Sequence, residues 1–306
     1  MPDGILNLNK PRGLTSHDVV DRVRGLTGVR RVGHAGTLDP LATGVLLVCI
    51  GRATRVAEYL MVGQKVYRAR VRLGITTDTY DAEGRVVAEA EESLDEVSRA
   101  QVEAVLTRFR GTITQVPPMY SALKHKGTPL HRLARRGVEV ERKPRQVEIF
   151  RLELTAWEPP DCTLEVSCSP GTYVRALAHD LGQALGCGAH LTGLTRLASG
   201  DFRLEDTVTL EEFAQAAAEG RWPDLLHPMD AALTCFPALH LDGDRARRLC
   251  SGQAIANCGV QIADCRVRSA DLVRVYGPDG AFLALVAYDP ATNVWRPHKV
   301  FHSPED

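Results

Sequence analysis

The sequence predicts an α+β protein in two parts: a larger domain of mixed strands and helices, then a small, mostly stranded domain. Three observations carry this. At 306 residues the chain is long enough for two domains of ordinary size, and with 44% hydrophobic residues it can bury a sizeable core. Its apolar pattern switches between a period of two and a period near 3.6 up to about Met229. From about residue 238 onward, strand patterns and a hairpin turn dominate.

The elements follow in order. Ile5–Asn9 reads as a short strand, and Ser16 caps a helix through about Leu26 with Val19, Val20 and Val23 at helical spacing. Val45–Ile50 is a buried strand, and Arg52–Met61 a helix. Tyr67, Ala69, Val71 and Leu73 alternate with Arg68, Arg70 and Arg72, the period of a half-exposed strand whose polar face is all arginine. Ser93 and Glu96 form a capping box for a helix with Val102, Val105, Leu106 and Phe109 on one face. Strands follow at Val147–Leu154 and Leu164–Cys168. Thr172 caps a helix that buries Val174, Leu177, Ala178, Leu181 and Leu185, and Thr209 with Glu212 starts another. In the C-terminal part, a short helix (Gly243–Leu249) precedes strands at Leu272–Tyr276 and Phe282–Tyr288, joined by Gly277-Pro278-Asp279-Gly280. Loop-rich Arg221–Pro237 is the natural junction, so the domains are expected at 1–235 and 236–306.

Composition excludes several classes. The longest apolar run, Val45–Ile50, is far short of the roughly 20 residues that span a bilayer. The Met1-Pro2-Asp3-Gly4 start has neither a basic nor an apolar leader region, so a cytoplasmic protein is expected. The eight cysteines are scattered without a CxxC, which fits reduced thiols rather than disulfides or a metal site.

Net charge is −1, but charge is segregated. Residues 108–145 carry ten Lys/Arg against two Glu, residues 10–31 six against two Asp, while residues 78–103 hold nine acids against two Arg. The acidic stretch reads as a solvated face. The 108–145 stretch, punctuated by Pro117-Pro118, Gly127 and Gly137, reads as an exposed basic arm suited to a polyanion, because such contacts follow local charge.

The chemistry is concentrated in Gly33-His34-Ala35-Gly36-Thr37-Leu38-Asp39-Pro40-Leu41-Ala42-Thr43-Gly44-Val45-Leu46, a Gly-rich turn with one carboxylate directly before a buried strand. Asp-Pro in a loop is ordinarily structural. Here the glycines permit close approach of a backbone or a ligand, and the absence of a second acid nearby leaves Asp39 to act alone or with a distant partner.

This stretch resembles the catalytic motif of the bacterial tRNA pseudouridine-55 synthase (TruB) family. Four more segments resemble that family in the right order: Asn7–Ser16 its opening Lys-Pro motif, Tyr67–Thr79 its tyrosine motif, Pro117–Lys124 the start of its RNA-gripping insertion, and Gly171–Gly182 its arginine motif. The resemblance implies a mixed, mainly antiparallel sheet flanked by helices (the pseudouridine synthase fold). It also implies an RNA-binding insertion at about 115–145 and a C-terminal small β-barrel of PUA type.

It further implies an isomerase that converts uridine 55 in the tRNA T loop to pseudouridine, with no cofactor and no metal. Asp39 matches the essential aspartate, which must be ionised to act as nucleophile or base. Arg175 matches the arginine that keeps it charged through a bidentate contact. Tyr67 matches a tyrosine that stacks on the uracil, with a proton-transfer role also open. His34 corresponds to a residue that wedges into the RNA loop, Leu194 to an apolar pocket wall, and Lys10 to a support of the active-site loop. Lys124 and Arg132 fall in the basic insertion that closes on the T arm, and the C-terminal domain would reach the acceptor stem. A monomer needing no protein partner is expected. Competing readings are a tRNA-folding chaperone, which can coexist with the enzyme, and the protein subunit of a guide-RNA-directed complex. The long basic insertion argues against the latter.

Overall fold

The computed structural model describes residues 2–90, 97–121, 123–134, 136–257 and 272–302. The chain opens with β1 (Gly4–Lys10), α1 (Ser16–Thr27), β2 (Val32–Ala35) and β3 (Ala42–Ile50). The cap of α1 is Thr15, one residue before the one expected. Asp18 N–H donates to Thr15 Oγ1 at 3.1 Å, and Thr15 N–H to Asp18 Oδ2 at 2.8 Å. Ser16 instead ties α1 to the loop before β3, its hydroxyl donating to the Leu38 carbonyl at 3.0 Å and accepting from the Leu38 amide at 2.8 Å.

The helix expected over 52–61 is split into a 3₁₀ turn at Gly51–Arg55 and α2 (Ala57–Val62). The Asp3 carboxylate accepts from the Arg52 amide at 2.7 Å and sets that first turn apart. Next come β4 (Lys65–Leu73), β5 (Ile75–Thr77), β6 (Val86–Glu89), α3 (Arg99–Leu106) and β7 (Gly111–Gln115). On β4 the alternation holds, with Tyr67, Ala69, Val71 and Leu73 buried. Its arginines pair across to Asp161 and Glu165. The Ser93–Glu96 box lies outside the described residues. The cap seen on α3 is Ser98 with Gln101, and Phe109 sits in a 3₁₀ turn beyond the helix.

After β8 (Lys124–His125), β9 (Thr128–Pro129) and α4 (Leu130–Ala134) the chain returns as β10 (Arg145–Glu158). Gln115 and Arg145 are cross-strand partners, so residues 116–144 leave and rejoin the sheet at one point. Then follow β11 (Asp161–Cys168), α5 (Val174–Leu185), β12 (Ala189–Ser199), β13 (Phe202–Arg203), α6 (Leu210–Ala218) and β14 (Leu226–His227). Thr172 does not cap α5; its hydroxyl donates to the Ser169 carbonyl at 2.9 Å. Tyr173 takes the cap position, its main chain gripped from both sides by the Gln115 amide at 2.8 and 3.0 Å.

These strands form a sheet ordered β14-β1-β3-β12-β4-β11-β10-β7, with β2 on β3 and β13 on β12. Among the described strand pairings of this sheet only β3–β12 is parallel. A second sheet, curled into a half-barrel, follows from β15 (Ala238–His240), α7 (Gly243–Cys250), β16 (Ile255–Ala256), β17 (Leu272–Tyr276), β18 (Phe282–Asp289) and β19 (Val294–Val300), in the order β15-β17-β18-β19-β16.

One face of the large sheet is covered by α1, α3, α5 and α6 through Val19, Val23, Leu106, Leu177, Leu181 and Phe213. The other face of β1 and β3 meets Leu60, Leu233 and the C-terminal Phe282, Leu285 and Phe301. That double covering explains why Val45–Ile50 is apolar at every position rather than at alternate ones. Arg221–Pro237 is no bare linker, since His227 pairs with Ile5 and Leu233 is fully buried.

Candidate active site

The loop between β2 and β3 carries Asp39, and three anchors fix it. Ser16 holds Leu38, the Gly13 amide donates to the Pro40 carbonyl at 2.8 Å, and the Lys10 ammonium donates to the carbonyls of Pro11 (2.9 Å), Leu14 (2.6 Å) and Pro40 (3.4 Å). Lys10 is completely buried beneath the loop, which pushes its pKa down to about 8 against the opposing pull of Asp39. Gly44, at φ +97°, lets β3 run against β12; a Cβ there would collide with the Arg196 main chain.

Arg175, in the first turn of α5, meets this loop from 136 residues away. Its Nε lies 3.0 Å from Asp39 Oδ2 and its Nη2 3.1 Å from Oδ1, a side-on bidentate pair. Nη2 also donates to the Tyr120 carbonyl at 2.8 Å, and Nη1 to Asp81 Oδ2 at 3.0 Å and the Thr79 carbonyl at 3.3 Å. Asp81 is buried, and its other oxygen accepts from the Thr79 hydroxyl at 2.6 Å and the Glu83 amide at 3.1 Å. One guanidinium therefore serves two carboxylates. The Asp39 carboxyl is raised above the ordinary aspartate range, first by desolvation and then by Asp81, with Arg175 and Lys10 opposing. Its side chain is still 37% accessible. The two facts are compatible, because the carboxylate lies at the wall of a concavity where protein surrounds it but a ligand can reach it.

That concavity has a volume of about 330 Å³ and is walled by Asp39, Arg175, Tyr67, Leu194, Lys65 and Arg196, with Tyr173 and Ser121 near by. Four of these come from one ladder. Arg196 on β12 is the cross-strand partner of Tyr67 on β4, and Ser199 that of Lys65. The Tyr67 ring is buried, which raises its pKa, while the charge of Arg196 pulls the other way. A second cavity of about 520 Å³ shares the Asp39–Arg175 pair and is bordered by His34, Ser16, Thr79, Glu83 and Tyr120. The His34 pKa is lowered, by burial first and by Arg196 and His17 after that, and its buried Nδ1 has no hydrogen-bond partner among the described residues.

Of the residues expected at the site, Asp39, Arg175, Tyr67 and Leu194 meet at one cavity, His34 borders its neighbour, and Lys10 lies under the loop. Arg132 is elsewhere, exposed on α4 in the excursion. Lys124 lies in the β8–β9 hairpin of the same excursion, its side chain outside the description. Sequence reasoning missed Asp81, Arg196 and Lys65. Asp81 was hidden in an acidic stretch that otherwise suits solvent; its signal is the Thr77-Asp78-Thr79 turn just before it. Cys49 and Cys162 are buried thiols pushed up to about 12, too inert for chemistry. Among the described residues no cluster of metal-ligating side chains is present, and no helix is long and apolar enough to cross a membrane.

Residues 24–174 match the model of the TruB family pseudouridylate synthase N-terminal domain, and residues 175–234 that of the tRNA pseudouridylate synthase B C-terminal domain. The chain is 49% identical over 290 residues to tRNA pseudouridine synthase B of Syntrophotalea carbinolica, covering 94% of this chain and 93% of the relative. It is 46% identical to the protein of that name from Cupriavidus metallidurans over 92% and 89% of the two chains. A solved chain in a Cbf5–Nop10–Gar1 complex superposes with a TM-score of 0.76 at 27% identity, over 99% of this chain and 86% of that one. Family models that match residues 24–234, and relatives 49% and 46% identical over 94% and 92% of the chain, lead to one conclusion: this protein belongs to the TruB family of pseudouridylate synthases.

Proposed function

We propose that this chain is a tRNA pseudouridine synthase that isomerises uridine 55 of the T loop. The observation that carries the reading is the bidentate Asp39–Arg175 pair at the wall of a cavity that also presents Tyr67 and Leu194. The reaction breaks the C1′–N1 bond, turns the base and joins C5 to C1′. C5 then loses a proton and N1 gains one, so product and substrate have the same atoms. Whether the carboxylate adds to C1′ or removes the C2′ proton, it must be ionised, and Arg175 favours that form. Tyr67 and Leu194 offer faces between which a flipped uracil fits.

The basic excursion at 116–144 supports a tRNA partner. Lys126, Arg132, Arg136 and Lys143 are exposed, with no strand of the sheet depending on the tip. In this reading it grips the T arm, the C-terminal domain expected at 236–306 is a PUA-like module that reaches the acceptor stem, and the protein works in the cytoplasm as a monomer. The similarity to a chain solved with Nop10 and Gar1 favours a second reading, a subunit of a larger assembly. Incubation of the purified chain with an unmodified tRNA transcript, without other RNA or protein, tests both. Tritium release from [5-³H]uridine is expected from the chain alone; dependence on an added component would contradict it.

A further inference from the structure

Arg196 and Lys65 line the cavity without carrying any role in the mechanism above. Arg196 is 1% exposed and Lys65 5%. Arg196 Nε donates to the Val45 carbonyl at 2.6 Å and Nη2 to the Gly36 carbonyl at 3.0 Å. Lys65 Nζ donates to the Leu60 carbonyl at 2.9 Å and the Ser199 hydroxyl at 2.8 Å. All four partners are neutral. Among the described residues, no carboxylate lies within ion-pair distance of either cation. The two sit on one face of the β4–β12 ladder and repel each other. Burial, with Arg196 adding to it, brings the Lys65 pKa down to about 8. Buried cations without a counterion are unfavourable unless something else compensates them.

The opposite charge is found on another wall. There Asp39 faces the cavity, and the Arg175 guanidinium that pairs with it is shared with Asp81. The cavity is therefore polarised, with the Asp39 carboxylate on the loop wall and the two cations that lack a counterion on the ladder wall beside Tyr67. Heterolysis of a nucleoside separates charge in the same sense. When C1′–N1 breaks, the electron pair leaves with the base and is shared over N1, O2 and O4, and positive charge develops at C1′. We propose that Arg196 and Lys65 form the binding site for the detached uracil anion, stabilising it while it turns from N1 to C5. This rests on the isomerase reading and adds its base-side half: Asp39 answers the sugar's charge and the ladder cations answer the base's. Fixed donors aimed at developing charge in a dry site act without reorganising during the reaction.

The test uses a T-arm stem-loop with uridine or 5-fluorouridine at the target position, the fluorinated base leaving as the more stable anion. Consumption of the target nucleoside is followed at saturating enzyme by digestion and chromatography. Arg196→Met is expected to slow uridine by about a hundredfold and 5-fluorouridine distinctly less, with RNA affinity unchanged. Lys65→Met should show the same asymmetry, and Arg196→Lys should restore part of the uridine rate. Equal slowing of both substrates, or none, would overturn the proposal and leave Arg196 as a strut between Val45 and Gly36. If Arg196→Met does not fold, the Lys65→Met and Arg196→Lys ratios decide by the same criterion. A wild-type chain that leaves uridine unconverted would overturn the isomerase reading, and this proposal with it.

Discussion

Arg175 lies side-on to Asp39, at 3.0 and 3.1 Å, and turns its third nitrogen to Asp81 at 3.0 Å. The guanidinium is thus fixed by a buried carboxylate outside the cavity of Tyr67 and Leu194 while it fixes the one that faces that cavity. A planar fork makes both contacts at once; an ammonium cannot. Arg175→Lys should fold but lower the single-turnover rate by about a hundredfold, with little change in tRNA affinity. Arg175→Met should also lose about 3–5 kcal/mol of stability, because Asp81 is left buried and unpaired. Thermal unfolding beside kinetics separates the two effects.

The pH profile follows from the same cluster. In the proposed reaction Asp39 works ionised, and its pKa is raised above the ordinary aspartate value by desolvation and then by Asp81. The rate should therefore fall with falling pH through a midpoint above that of a free aspartate. Asp81→Asn removes one of the upward influences, so the acid limb should move to lower pH even as the looser Arg175 reduces the plateau. A limb that stays in place would show that Asp81 does not act on Asp39 electrostatically.

Lys10 donates to three main-chain carbonyls around the Asp39 loop. Lys10→Met leaves them without that donor and should cost about 1–3 kcal/mol of stability. The catalytic rate should fall while tRNA affinity holds, a split readable from active-site titration and filter binding.

Much of this was legible in the chain. The strand alternation at Tyr67–Leu73 and the caps at Thr209 and Glu212 are local signals, and they appear as expected. The aspartate motif and the arginine motif name the residues that meet. What the sequence hid was nonlocal. Thr172 is a good cap by type, yet Gln115, from a strand 58 residues earlier, holds the Tyr173 backbone instead. Ser16 likewise serves a loop 22 residues away. Arg196 and Lys65 read as surface cations by residue type, and only the pairing of β4 with β12 shows them buried.

The basic excursion should be separable from the fold, since Gln115 and Arg145 already pair where it leaves and returns. Replacing residues 123–136 by a short Gly-Ser link should leave the unfolding temperature within a few degrees. It should weaken tRNA binding by about tenfold or more and flatten the dependence of affinity on salt, by roughly 0.9 in log–log slope for each phosphate no longer neutralised. Loss of folded protein would show the segment to be core.

The central claim is tested most directly by mass-spectrometric mapping of modified uridines after unmodified tRNA is incubated with wild-type chain and with Asp39→Asn. The account predicts one pseudouridine, at the T-loop position, with wild type, and none with the variant although it binds tRNA equally. Modification by the variant, or a wild-type product at some other site, would contradict it.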